Sequence, residues 1–264
     1  MQRRNFISAS LATSALALSQ RGAAQAGSAL PREFYLIRRY NLQTGPQTAL
    51  AEKYFSDALI PALTRLGMGP IGALHLDYGP ETPAFLALIP GPSAEALATI
   101  DLRLAGDAEF IKAAEPFWSA PATAPAFERV ESTLHAAFEG WPKLTLPPAS
   151  ATKGKRIFQL RTYESPSFAA HVRKVEMFNA GEFEIFKTAG FHPVFFGDTL
   201  VGPRMPNLTY MLSLTGTDEL DARWDAFRND PAWKKLSASP RYNYEAIVSN
   251  ITNLILSPMA CSQI

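Results

Sequence analysis

The hydrophobic pattern of the chain switches at regular intervals between a two-residue period and a helical period. The segment RIFQLRTY (156–163) alternates apolar and polar side chains and predicts a β-strand. The next segment (168–190) has apolar side chains at helical spacing and predicts a helix that ends near Gly190. Two strands around a Gly-Pro turn, a second helical region and a closing strand over 242–256 follow. The second half therefore has the predicted order β-α-β-β-α-β.

The first half repeats this order, with its closing strand predicted over 127–138. Pro61 falls inside its first helical segment. Proline there removes a backbone N–H and clashes with the preceding turn, so we expect a kinked or divided helix.

The two halves align without a gap when residues 34–112 are shifted by 123 positions. Arg38 and Tyr40 recur as Arg161 and Tyr163. Many of the other identical positions are glycine or proline, which fix turns and so indicate a shared backbone. These pairs are Gly67/Gly190, Pro70/Pro193, Gly79/Gly202, Pro80/Pro203 and Pro83/Pro206.

The repeat predicts two tandem units, at 33–140 and 156–258, joined by a proline-containing linker at 141–155. The order β-α-β-β-α-β is that of a ferredoxin-like unit, whose helices cover one face of the sheet. Two such sheets can pack by their uncovered faces and close eight strands into one barrel. The sequence therefore predicts an α+β protein in which two tandem ferredoxin-like units form an intramolecular dimeric α/β-barrel.

The overall charge is close to neutral, with 25 Lys and Arg against 24 Asp and Glu among 264 residues. A chain without a basic excess lacks the field that nucleic acid requires, so no nucleic-acid partner is expected. Cys261 is the single cysteine, which excludes an internal disulfide and a thiolate metal cluster. We expect neither a metal nor another cofactor.

The N-terminus has the layout of an export signal. Arg3 and Arg4 precede a mildly apolar stretch, and Ala24-Gln25-Ala26 offers a cleavage site, so residues 1–26 are predicted to be a twin-arginine signal peptide. The stretch is too short and too polar to be a transmembrane anchor. Removal of the signal would leave 22 basic and 24 acidic residues in a periplasmic or secreted protein. A disordered basic tail is the alternative.

The second half resembles the NIPSNAP family. The resemblance rests on FQLRTY (158–163), on GFHPVFFGDTLVGPRMPNLTYMLSL (190–214) and on WDAFRNDPAWKKL (224–236), and it is looser over 33–138, where DAEFIKA replaces the DPAW motif. The family is similar to the dimeric α/β-barrel superfamily, which implies the same fold. That superfamily includes cofactor-free monooxygenases, haem-degrading enzymes and binding modules, so the resemblance does not imply one reaction.

The repeated Arg-x-Tyr pairs are the first candidates for chemistry. Strand alternation places Arg38 with Tyr40, and Arg161 with Tyr163, on the face opposite the apolar residues. If the apolar faces take the helices, both pairs point into the barrel, where a guanidinium and a hydroxyl suit a carboxylate or a phenolate. The alternative is that each arginine pairs with an interior acid such as Glu131 or Glu245 and holds the sheets together.

Four histidines are distributed without metal-ligand spacing: His75, His135, His171 and His192. We expect His192 and Tyr163 to be the catalytic candidates, and Arg38, Tyr40, Arg161, Tyr210 and Glu245 to be the ligand-binding candidates. The leading hypothesis is that the barrel interior binds, or acts on, a small acidic or phenolic molecule without a bound metal. The rival is a protein-interaction module with a packed barrel, and a weaker option is haem binding through one histidine. The sequence is compatible with a monomer or a homodimer.

Overall fold

Eight β-strands form the framework of the protein. The computed structural model describes residues 31–264, so the predicted signal peptide (1–26) lies outside the described residues. The strands are β1 (Phe34–Asn41), β2 (Gly72–Tyr78), β3 (Ala84–Gly91), β4 (Arg129–Ala137), β5 (Ile157–Glu164), β6 (His192–Val201), β7 (Asn207–Leu214) and β8 (Asn250–Pro258).

The strands close into one barrel in the order β1-β3-β2-β8-β5-β7-β6-β4. Within each unit the order is that of a ferredoxin-like sheet, with the first strand between the third and the fourth. The pairs β2–β8 and β4–β6 are antiparallel and join the two sheets at both edges. This closure satisfies the strand edges that an isolated unit would expose.

The helices lie between the strands in sequence. The first unit contains α1 (Pro46–Tyr54), α2 (Ile60–Arg65), α3 (Ala94–Ala98), α4 (Ile100–Ala105) and α5 (Ala108–Trp118), and α6 (Pro148–Ala151) lies in the predicted linker. The second unit contains α7 (Phe168–Met177), α8 (Phe183–Thr188), α9 (Leu220–Asn229), α10 (Pro231–Ser237) and α11 (Tyr244–Ile247).

The strand register confirms the tandem repeat and the predicted fold class. Arg38 on β1 pairs with Ala87 on β3, and Arg161 on β5 pairs with Tyr210 on β7. Both partners are displaced by the 123 positions found in the sequence. The two sheets therefore share a register as well as an order of elements.

The first helix of each unit is divided, as Pro61 predicted for the first one. A π-helical turn (Phe55–Leu59) separates α1 from α2, and a second one (Phe178–Glu182) separates α7 from α8. Pro61 lies in the first turn of α2, where its missing N–H does least harm. Gly181 has φ +142° in the second unit, a conformation that side chains rarely adopt.

The closing strand of the second unit is shorter than predicted, because residues 242–248 are largely helical. A 3₁₀ turn (Pro240–Tyr242) and α11 precede β8, which begins at Asn250. Ile247 is buried beside Ala170 and Met177 of α7. Packing against that helix decides the conformation of a segment whose short apolar pattern fits both periods.

The core is divided into three layers. The barrel interior is packed with apolar side chains from both units: Tyr35, Ile37, Leu74, Leu76, Ala84, Leu86, Leu88, Ala137, Phe158, Leu160, Val194, Phe195, Met211, Leu254, Leu256 and Ile264. Two other large clusters lie outside the barrel, one between each sheet and its helices, and a small one joins α7 to α11. The barrel is therefore a shared core that holds the two units together.

Candidate functional site

The two Arg-x-Tyr pairs face the helices and not the barrel interior, so the expected shared chamber is wrong. Tyr40 lies in the helix–sheet cluster of the first unit, and Tyr163 lies in that of the second. The inward positions of these strands are held by neighbours such as Tyr35 and Phe158. The pairs are therefore on opposite outer sides of the barrel and cannot line one cavity.

Desolvation explains this orientation. Both faces of β1 are buried, so its hydrophobic pattern alone does not say which face meets the helices. A guanidinium inside the barrel would be surrounded by apolar side chains and would lose its hydration without compensation. On the helix side, Arg38 reaches Asp101 of α4, whose side chain is still 55% exposed. The polar face therefore turns to the layer that can supply a counter-charge.

A cavity of about 390 Å³ lies beside Arg38 in the helix–sheet layer of the first unit. It is lined by Arg38, Tyr40, Tyr54, Asp101, Phe117, Trp118, Phe127, Val130 and Ser132, and we call it the first-unit cavity. Strand pairing brings part of this wall together, because Ser132 and Val130 of β4 lie opposite Arg38 and Tyr40. The ring of Tyr54 stacks on Phe117 with 4.0 Å between centroids.

The charged end of the cavity is an ion pair with two parallel hydrogen bonds. Arg38 Nη1 donates to Asp101 Oδ1 at 2.7 Å, and Nη2 donates to Oδ2 at 2.8 Å. The third donor of this fork, Nε, is buried without a partner. The pair is therefore electrically balanced, and Nε is left as a buried donor without a partner.

The two tyrosines of the cavity keep their phenolic protons at neutral pH and so can donate hydrogen bonds. Burial raises the pKa of Tyr40, and the nearby Arg38 charge only partly offsets that effect. Burial raises the pKa of Tyr54 well above its ordinary value. Both hydroxyls therefore stay protonated, and neither is a general base at neutral pH.

The equivalent space in the second unit is filled by larger side chains. Ala51, Ala87 and Asp101 of the first unit correspond to Lys174, Tyr210 and Trp224 at the 123-residue shift. Arg161 accordingly has no acidic partner and lies 4.2 Å above the Trp224 ring.

Hydrogen bonds between hydroxyl groups and Arg161 connect the side chains in the helix–sheet layer of the second unit. Arg161 Nη2 donates to the Tyr163 hydroxyl at 3.1 Å, and the Tyr210 hydroxyl donates to the same oxygen at 2.8 Å. Arg161 and Tyr210, expected to bind a ligand, and Tyr163, expected to be catalytic, thus lie close together but are hydrogen-bonded to one another.

A buried ion pair adds to this packing. Lys174 Nζ and Glu182 Oε2 are 2.7 Å apart, and both side chains are excluded from solvent. The ammonium also lies 4.4 Å from the centre of the Phe178 ring. Burial raises the pKa of Glu182, and Lys174 only partly offsets the effect.

The other predicted residues do not line the first-unit cavity. His192, expected as a base, is exposed at the first residue of β6, opposite Ser213 of β7. Tyr163 lies opposite Leu208 of β7. Leu208 is five residues before Ser213 on that strand, so Tyr163 and His192 are separated by roughly 16 Å along the sheet. Glu245 is exposed on α11 and does not reach the barrel interior from a strand. The structure does not bring His192 and Tyr163 together.

His135 is buried in a polar cluster in which both of its ring nitrogens are bonded. Thr133 Oγ1 is 2.9 Å from Nε2, and Thr199 Oγ1 is 3.0 Å from Nδ1. Burial lowers the pKa of His135 to about 4. His135 is therefore neutral at physiological pH and has no nitrogen left for haem.

Residues 31–264 lack two general features. In this part of the chain no three His, Cys, Asp or Glu side chains are grouped to hold a metal ion. None of its helices has both the length and the apolar character needed to cross a bilayer.

Sequence reasoning did not identify Asp101, Tyr54 and Ser132. Asp101 carries one usable signal, since it lies beside buried Ile100 in a helix that has to cover a strand with an arginine. An acid at such a position is a candidate partner for that arginine. Tyr54 and Ser132 have no comparable signal, because strand pairing and helix packing alone bring them to the cavity.

The closed barrel of eight strands with outer helices is a two-unit α/β barrel fold, which other solved structures share. A protein from Lactobacillus acidophilus named as a candidate monooxygenase superposes with a TM-score of 0.54 and 11% identity, over 86% of this chain and 94% of its own. An anthrone oxidase-like protein superposes with a TM-score of 0.51 and 13% identity, over 88% and 93%. At these identities the likeness shows the fold alone.

The sequence of the second unit also matches a known family. The NIPSNAP family profile matches residues 158–263, which lie in the second unit. A NIPSNAP-like domain protein from Burkholderia xenovorans is 17% identical over 40% of this chain and 87% of its own, with a TM-score of 0.36. No curated protein matches the sequence significantly. The resemblance deduced from the sequence is therefore confirmed for the second unit.

Proposed function

We propose that this exported protein binds a small phenolic compound in the first-unit cavity. The observation that carries the proposal is the meeting of a buried guanidinium, two protonated tyrosines and an aromatic wall around about 390 Å³ of space. This volume falls in the usual range for small-molecule sites, which are mostly apolar with a few placed polar groups. The site thus moves from the barrel interior to the helix–sheet layer.

The ion pair favours a phenol over a carboxylic acid. Asp101 already takes two of the Arg38 donors, so a carboxylate ligand would have to displace it or be repelled by it. A neutral phenol needs only one donor and one acceptor. The unused Arg38 Nε and the Tyr40 and Tyr54 hydroxyls are available as donors, and Asp101 is the available acceptor.

The aromatic wall of the cavity is suited to an aromatic ring in the ligand. Phe117, Trp118 and Phe127 line one part of the cavity, and Trp118 is 39% exposed at its edge. Aromatic side chains favour offset or edge-to-face contact with another ring. A flat ring between this wall and the Arg38 end would satisfy both parts of the site.

The barrel relatives guide the choice of probe. One of them is named as an anthrone oxidase-like protein, and a hydroxylated anthrone is a flat phenol. Such a compound suits the dimensions and the polarity of the first-unit cavity. A titration of the protein with this compound in air, followed by product analysis, tests whether the bound phenol is also oxidised.

A pair of matched ligands tests the proposal. We expect calorimetric titration to show that a hydroxyanthrone binds more tightly than the anthracene carboxylic acid of similar size. The Asp101→Asn variant should improve carboxylate binding by about tenfold or more, because it frees the Arg38 charge. Asp57→Asn is the matched control, since Asp57 pairs with Lys53 on an exposed helical surface away from the cavity.

Ser132→Trp, which places a large ring in the cavity wall, should abolish phenol binding. If Ser132→Trp leaves phenol binding unchanged in a folded protein, the first-unit cavity is not the site. If the wild-type protein binds neither ligand, the protein-interaction module becomes the better hypothesis, and the packed barrel interior is the observation that favours it.

A further inference from the structure

A second groove lies outside the site described above, where α7 of the second unit meets the end of β4 of the first unit. It has a volume of about 600 Å³ and runs along α7. We call it the α7 groove, and it is lined by Arg32, Ala137, Phe138, Glu139, His171, Val172, Val175, Glu176, Asn179, Asp198 and Tyr242. None of these residues takes part in the first-unit cavity.

A histidine–aspartate pair forms the polar wall of the groove. His171 Nε2 and Asp198 Oδ1 are 2.7 Å apart, which joins α7 to β6. His171 is only 7% exposed, and its Nδ1 is buried without a hydrogen-bond partner. The Asp198 side chain is 40% exposed, so part of its carboxylate remains open to the groove. An unsatisfied buried nitrogen beside an open carboxylate is costly unless a bound molecule uses it.

The charges of the groove favour a cation. Three carboxylates line it, those of Glu139, Glu176 and Asp198, against the single guanidinium of Arg32. Arg241 beside the groove bonds Glu176 at 2.6 Å, so three carboxylates stand against two guanidinium groups. Such an excess in a concave site attracts positively charged ligands.

The remaining wall is apolar. Val172 and Val175 lie three positions apart on one face of α7, and Phe138 faces them from the end of β4. Val172 is 55% exposed, so it offers a hydrophobic contact that the protein itself does not cover. The groove therefore combines a negative end with an apolar side.

The first unit has a histidine–carboxylate pair of which one member, His75, is at an equivalent position. His75 occupies the position equivalent to Asp198 at the 123-residue shift, and Glu52 of α1 faces it with 3.3 Å between Nε2 and Oε1. Neither residue lines one of the three cavities described for residues 31–264. This pair offers a matched control for the first one.

From these observations we infer that the α7 groove binds a small organic amine with an apolar body. The ammonium group contacts the open oxygen of Asp198, and Glu139 adds to its attraction. The apolar body lies against Val172 and Val175. The unpartnered Nδ1 of His171 accepts or donates a further hydrogen bond at the same end of the ligand.

Phenethylamine and phenylethanol, which share a body and differ in charge, are the probes. Titration of the full chain should show that the amine binds at least tenfold more tightly than the alcohol. The amine should also shift the ring-nitrogen NMR signals of His171, assigned by their loss in His171→Gln. We expect Asp198→Asn to weaken amine binding by about tenfold, and Glu52→Gln to leave it unchanged.

Glu139→Gln is the second variant, because Glu139 is exposed and its replacement does not threaten folding. It should weaken amine binding severalfold. Equal affinity for the amine and the alcohol, the absence of a His171 shift, or equal effects of Asp198→Asn and Glu52→Gln would each overturn the inference. Phenol binding in the first-unit cavity should be unaffected by Asp198→Asn, so this inference and the proposed function can fail separately.

Discussion

Arg38 and Arg161 occupy equivalent positions but have different partners, and this difference separates an open unit from a filled one. Asp101 pairs with Arg38, whereas Trp224 at the equivalent position stacks on Arg161. A carboxylate keeps the end of the pocket polar and hydrated, and an indole fills the same space with an apolar ring. One substitution at this position changes both the volume and the charge of the layer.

His135 is the residue whose protonation should most affect stability. Its pKa is lowered to about 4 by burial, whereas an unfolded histidine titrates near 6.5. Between these values the unfolded chain binds more protons, so stability is complete above about pH 6.5 and falls as the pH approaches 4. The contribution reaches up to about 3 kcal/mol.

We therefore predict that His135→Gln removes much of the pH dependence of unfolding in this range. Urea unfolding at several pH values measures it. His192→Gln is the control, because His192 is exposed and should leave the pH profile as in the wild type. An unchanged profile in His135→Gln would show that carboxylates, and not this imidazole, control acid stability.

At the scale of elements, the two units break their first helix with different residues. Pro61 follows the π-helical turn of the first unit, whereas the second unit uses Gly181 within the turn. The turn of the second unit brings Glu182 back to Lys174, eight residues earlier. The break therefore places a buried carboxylate opposite a buried ammonium.

Gly181→Ala should destabilise the protein by about 1–3 kcal/mol, because φ +142° is strained for any residue with a side chain. An added Cβ has no neighbour within 4 Å, so the cost comes from the backbone alone. Denaturant unfolding measures it. Gly106→Ala is the matched control, since Gly106 has φ −90° and should show little change. Equal stability of the two variants would contradict the assigned strain.

At the scale of the whole molecule, the two units of the barrel meet as the subunits of a dimer would, but they belong to one chain. The interior cluster contains side chains of both units, and each unit closes the open edges of the other. Because the interior is packed, space for ligands is found outside the barrel. The first-unit cavity is lined by the first unit alone, whereas the α7 groove is lined by residues of both units.

We expect the twin-arginine signal to direct export of the whole protein. We expect that replacing Arg3 and Arg4 with lysine retains the full-length precursor inside the cell, because the twin-arginine pair is the feature that the export route reads. Cell fractionation with detection of the precursor and the processed form measures this. Arg21→Lys is the control, since Arg21 lies outside the pair. Unchanged processing of the double variant would argue for another route.

The sequence by itself determined the repeat, the order of elements and the barrel. Turn residues at a constant shift and alternating periods are local signals, and two half-covered sheets leave few ways to bury their open faces. It also identified Arg38 and Tyr40 as candidates, because charged and aromatic residues recurred in the same strand position.

Only the tertiary structure decided which way these residues point. Both faces of β1 are buried, so its residues alternate between two hydrophobic layers and the pattern does not rank them. The choice depends on Asp101, which is distant in sequence and comes within reach only when α4 packs on the sheet. Long-range packing decides where a charge can find a partner, and local periodicity carries no record of it.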